Sequence, residues 1–166
     1  MSEGSMTDDD RWRGILRRAV FVGSVASVVS TLMVSRRSAL DSGTPASGTN
    51  STSHWLWGER AHHRRDVTLR YTGVGFVIHH LCSIFWGAVY ERWFVDPKDV
   101  FSRMAGKAVA VSALAAAADY LVTPKRLTPG FERHLTLRSM VLVYVTFAGG
   151  LAMARSLIDA PSQRPD

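Results

Sequence analysis

The chain has 166 residues, a single cysteine and a net charge of +6 from 20 Lys and Arg against 14 Asp and Glu. One cysteine excludes an intramolecular disulfide and any zinc site built on paired cysteines. The mean hydropathy is close to zero, but apolar runs alternate with Arg-rich connectors, as in a small multi-spanning membrane protein; the Arg residues flank the runs, where anionic headgroups account for them and nucleic acid is not implied.

Residues 1–18 read as a polar N-terminal segment, with the acidic stretch Met1–Asp10 expected to be disordered. The first span is predicted at Ala19–Ser35, between Arg17-Arg18 and Arg36-Arg37. No small-x-small cleavage site follows it, so it reads as an uncleaved span and not as a signal peptide. Residues 38–53, SALDSGTPASGTNSTS, have the composition of a flexible linker. Within them Asn50-Ser51-Thr52 spells a glycosylation sequon, relevant only in a eukaryotic secretory setting. A short helical turn follows, started by Ser53 and ended by Gly58; its His54, Trp55 and Trp57 form an interfacial anchor. His62-His63-Arg64-Arg65 reads as solvated juxtamembrane surface.

The second span, Tyr71–Tyr90, reads YTGVGFVIHHLCSIFWGAVY and carries no formal charge before Glu91. Pro97 breaks the connector behind it. The third span, Met104–Val122, is Ala-rich and lets neighbouring backbones approach closely. Lys107 near its start is expected to pair with Glu91. Thr123-Pro124 ends this helix, and Thr128-Pro129 with Glu132 predicts a short amphipathic helix in the third loop. The fourth span is Leu137–Ala154, before a polar tail at 155–166. The expected fold is all-α: a four-transmembrane-helix bundle occupying 19–154, with short interfacial helices in the first and third loops. Lys and Arg divide equally, ten on each side, so the positive-inside rule gives no orientation beyond the Arg cluster before the first span, which favours cytoplasmic termini.

Gly75, His79, Ser83 and Gly87 recur every four residues, and this stripe must face other helices because a histidine facing lipid is costly. His79 lies eight residues below Tyr71, about 12 Å deep. Asp119 lies about 5 Å and Tyr144 about 10 Å below the same surface. The expected site is therefore an intramembrane polar cluster of His79, His80, Ser83, Asp119 and Tyr144 under the Trp-bearing first loop. The competing reading is an interhelical clamp, at about 1 kcal/mol or less per hydrogen bond. His79 and His80 are adjacent and cannot both ligate one haem iron, and the other four histidines fall in loops; no metal and no cofactor is assigned. Cys82, inside an apolar run, reads as a small buried hydrophobe. No Gly-x-Ser-x-Gly, phosphate-cradling Gly loop or His-Glu-x-x-His is present, so no catalytic residue is named.

The segments Ser53–Gly58, His79-His80-Leu81-x-Ser83-x-x-Trp86-Gly87 with Tyr90-Glu91, and Leu127–Glu132 resemble the signature of small bacterial inner-membrane proteins of uncharacterised function. More remotely, His79, Ser83 and Tyr90 with the later Leu-Thr-Pro are similar to the YagU-type family, from which this chain departs by carrying two adjacent histidines. The resemblance implies the bacterial inner membrane and the architecture, but no reaction. Expected partners are the lipid bilayer and either a second copy or another membrane protein. A non-enzymatic bundle binding a partner, lipid or proton through the cluster is the expectation; the alternatives are a small oligomeric transporter and a metal- or cofactor-binding membrane subunit.

Overall fold

The computed structural model describes residues 8–96 and 98–159, and among them there is no β-strand. The expectations for residues 1–7, for Pro97 and for the end of the tail, 160–166, lie outside the described residues. Four helices are long and apolar enough to cross a membrane: Asp8–Ser42, Leu69–Phe94, Phe101–Val122 and Leu137–Asp159. The chain thus has the architecture of an all-α multi-pass membrane protein.

The first helix, α1 (Asp8–Ser42), is longer at both ends than the apolar run implied. Asp8, Asp9 and Asp10 in its first turn complement the helix dipole, and Ser42 Oγ closes the other end by donating to Ser38 O at 2.9 Å. The fourth spanning helix likewise continues past Ala154 to Asp159. The second span begins and ends in widened turns and the third ends in one, where N–H groups reach carbonyls five residues back: Gly73 to Thr68 at 3.2 Å, Val95 to Tyr90 at 3.1 Å and Thr123 to Ala118 at 2.8 Å.

The segment expected to be a flexible linker is instead folded. Ser47–Thr52 forms a short helix, α2, with all six residues buried, and His54–Trp57 forms α3 beside it. Its hydroxyl and glycine side chains are small enough for α2 to pack by its backbone. A Cβ on Gly75 would lie 1.9 Å from the Thr49 carbonyl, so only glycine fits there. Asn50 ties the segment down: Nδ2 donates to Arg64 O and Asp66 O, both at 3.0 Å, and Oδ1 accepts from Thr72 Oγ1 at 2.6 Å. The sequon asparagine is fully buried and is no glycan acceptor in this fold.

The regular part of the second span is α4 (Val74–Val89), that of the third is α5 (Phe101–Ala117), and the fourth is α6 (Leu137–Asp159). α1 packs on both α4 and α6, α6 packs on α5, and α4 scarcely meets α5. The bundle is therefore a curved row, α4–α1–α6–α5, closed along three seams and open along the fourth. At the α1–α4 seam a Cβ on Gly23 would lie 2.5 Å from Ile84 Cα, and one on Gly87 would lie 2.9 Å from Ala19 O. The glycine stripe read from the sequence does face other helices. Val22, Ala26, Val111, Phe147 and Leu151 fill the core between α1, α5 and α6.

Two further expectations are corrected. No helix starts at Pro129: the third loop holds only single turns, Lys125–Leu127 and Phe131–Arg133. Gly130 has φ 87°, a left-handed conformation that interrupts helix, and Thr128 Oγ1 donates to Glu132 Oε1 at 2.8 Å. Nor do Glu91 and Lys107 pair. Glu91, on the last turn of its span, faces α1 and α6, where it meets Arg18 Nε at 2.9 Å and Arg155 Nε at 3.3 Å; Arg155 Nη1 also donates to Asp159 Oδ1 at 2.7 Å. Lys107 reaches back to Asp99, just before α5 begins. The hydrogen bond from Lys107 holds the Asp99 carboxyl below its ordinary pKa. Tyr90, fully buried, donates to Met104 O at 2.9 Å and fastens the second span to the third at this end.

Candidate functional site

The open seam between α4 and α5 leads into a cavity of about 640 Å³, within the range of about 300–1,000 Å³ usual for small-molecule sites. Leu81, Phe85 and Trp86 of α4 line one wall, Ala115 and Ala118 the other, and Val143 and Phe147 of α6 the back. Leu81 and Phe85 are mostly exposed, so the mouth opens sideways at spanning depth. Thr52, Trp55, Leu127, Pro129 and Phe131 roof it from the two loops. Trp55 Nε1 donates to Thr128 O at 2.9 Å and pins the two loops together. Trp57 Nε1 donates to Arg70 O at 3.0 Å, and the Arg70 guanidinium lies 4.6 Å from its ring.

The cavity is apolar except at a few points. The widened turn Ala118–Val122 presents Asp119, whose Oδ2 accepts from Tyr144 Oη at 2.7 Å. Ser112 Oγ donates to Tyr144 O at 2.7 Å and sets the register of α5 against α6. On the opposite wall His79 Nε2 lies 2.9 Å from Ser30 Oγ of α1. Ser30 has one hydroxyl proton, and the Ala26 carbonyl at 2.7 Å is its shortest acceptor; that leaves His79 Nε2 as the donor to Ser30. Cys82 is half-buried on the same wall.

Of the cluster expected from the sequence, Asp119 and Tyr144 are bonded to each other, and His79 and Ser83 line the same cavity. Ser83 spends its hydroxyl proton on His79 O at 2.8 Å. His80 is not part of the cavity: it is turned a third of the way round the helix, with Nε2 3.3 Å from Ser24 Oγ and its ring 5.4 Å from that of Phe76. The two histidines thus bind two serines of α1, at positions six residues apart. The spacing of Ser24, Ser27 and Ser30 along one helix was the available signal for this polar seam.

Above the roof lies a second, polar cavity of about 840 Å³, lined by His54, His62, Tyr120, Lys125, Arg126 and Glu132 among others. Thr123 belongs to the linings of both cavities. His54 of the expected interfacial anchor is buried, donates or accepts through Nδ1 at 2.8 Å from Ser51 O, and stacks on His62 at 4.8 Å between centroids. His62 is therefore packed and not solvated. Its burial, with Arg133 nearby, pushes its pKa down to about 4. Of the same run, Arg64 covers the Tyr71 ring at 5.1 Å. Among the described residues, no three His, Cys, Asp or Glu side chains gather as a metal ion would require.

No protein-family profile, no curated protein and no solved structure matches this chain.

Proposed function

We propose that this protein takes an amphiphilic molecule from the bilayer into the cavity between α4 and α5, with its apolar body among Leu81, Phe85, Trp86 and Phe147. The single observation that carries this reading is the open seam: three helix pairs of the bundle are packed, and the fourth leaves an apolar, roofed cavity facing sideways. A water-soluble ligand would need a mouth at the membrane surface, where Trp55 and Pro129 stand instead. Asp119, Tyr144 and His79 supply the few polar groups that would orient a bound molecule by its hydrogen-bonding end. The geometry offers a binding site and names no reacting group. The bacterial inner membrane as its location, and kinship with small inner-membrane proteins of the YagU type, belong to the same proposal and rest on the motifs of the first loop, of the second span at His79, Ser83 and Tyr90, and of Leu127-Thr128-Pro129 in the third loop.

Filling the cavity tests the reading. Ala118 lines it without supporting any seam. Protein purified in mild detergent should retain co-purifying lipid in native mass spectra, and Ala118→Phe should lose it while remaining folded. Equal retention by both proteins would overturn the proposal.

A further inference from the structure

Resting on the reading just given, the second cavity says what kind of head the amphiphile carries. We propose that the polar cavity above the roof binds the head of an aminophospholipid, with the phosphate on Lys125 and Arg126 and the ammonium on Glu132.

The charges of this cavity divide into those already used and those left over. Arg133 and Glu59 neutralise each other through two contacts, at 3.1 and 3.2 Å. His62, held neutral by its burial, adds no charge at pH 7. Lys125 and Arg126 line the cavity, are exposed, and form no ion pair among the described residues. They follow directly on Pro124, at the end of the helix whose other residues wall the apolar cavity. Two cations at the membrane surface suit a phosphate.

A simple anion would nevertheless leave a carboxylate unanswered. Glu132 accepts from Thr128 Oγ1 at one oxygen and lies within hydrogen-bond reach of the Tyr120 hydroxyl on the same cavity, but no cation pairs with it among the described residues. A carboxylate taken partly out of water without a cation beside it is not repaid for its lost hydration. A primary ammonium supplies three donors and the opposite charge. The remaining set, two cations and one anion, is thus the complement of a zwitterion with a phosphate and an amine. Continuity supports the same occupant: Thr123 lines both cavities, and the Asp119–Tyr144 pair with Tyr120 lies at their junction. A lipid entering between α4 and α5 would keep its chains in the lower cavity, pass its ester groups by the Asp119–Tyr144 pair, and reach the upper cavity with its head along Thr123, beside the roof.

The test is lipid retention in native mass spectrometry after reconstitution in equal mixtures of phosphatidylethanolamine, phosphatidylcholine and phosphatidylglycerol. The wild type should favour phosphatidylethanolamine over phosphatidylcholine about five- to tenfold, because trimethylation removes the N–H donors. Glu132→Gln keeps an oxygen for Thr128 and should erase that preference while total lipid retention persists. Lys125→Ala with Arg126→Ala should lower retention of all three lipids. Retention without head preference, or preference for phosphatidylglycerol unchanged in Glu132→Gln, would overturn this assignment and leave the apolar cavity's role intact. No retention of any lipid by the wild type would overturn both.

Discussion

At the end of the bundle where α4 and α6 finish, Glu91 lies between Arg18 and Arg155, Arg155 also holds Asp159, and Tyr90 is bonded to Met104. At the other end, two cavities separate the helices, and Lys125, Arg126 and Glu132 line one of them without an ion pair among the described residues. Both regions carry charged groups at an end of the bundle. One spends them on each other, and helices meet there; the other leaves them facing space. A charge that is paired holds structure, and the unpaired charges lie at the end where binding is proposed.

The largest expected effect breaks the closed end. Glu91→Ala leaves the buried Arg155 with Asp159 alone as its counter-charge, which costs up to about 3–5 kcal/mol and should appear as early unfolding in detergent denaturation. The backbone seat of α2 comes next: Gly75→Val forces a side chain onto the Thr49 carbonyl, at about 1–3 kcal/mol, with increased hydrogen exchange confined to 47–58. Asn50→Ala strands Thr72 and the carbonyls of Arg64 and Asp66, for a similar loss of about 1–3 kcal/mol, and should also loosen the roof.

Smaller effects belong to the open end. His62 has its pKa lowered from 6.5 to about 4 by burial. In that window the unfolded loop binds a proton that the folded loop does not, so the stability of the roof rises with pH between about 4 and 6.5 and is complete above it. Hydrogen exchange of residues 54–63 should therefore slow as pH rises through this window after correction for intrinsic rates, and His62→Phe should flatten the dependence. Smallest is Tyr144→Phe, which removes one interhelical hydrogen bond worth about 1 kcal/mol or less; little change in stability with a changed lipid profile would separate a binding role for the Asp119–Tyr144 pair from a clamp.

Four spans were legible because each is a run of apolar residues between charges, and their true ends were not, because Arg17, Arg18 and the serines after Ser35 are as compatible with helix as with loop. The stripe at Gly75, His79, Ser83 and Gly87 was legible from its period of four. His80 was assigned to the wrong group because a pair of neighbours on a helix points in two directions, and only the placement of α1 decides what each meets. The 38–53 segment defeated composition altogether: Gly, Ser and Thr read as solvated linker, yet small polar side chains are what allow α2 to be buried by its backbone with Asn50 as its tie. Glu91 and Lys107 share a membrane face but point to different helices, so depth alone could not pair them.

The most direct test of the central claim maps where acyl chains touch the protein. A phospholipid carrying a diazirine in its chain, photolysed in bilayers containing the protein, should give adducts concentrated on Cys82, Phe85, Trp86 and Phe147, the lining of the seam between α4 and α5. Adducts spread over the outward faces, at Val77, Leu114, Val141 and Met153, with none inside the seam, would contradict it.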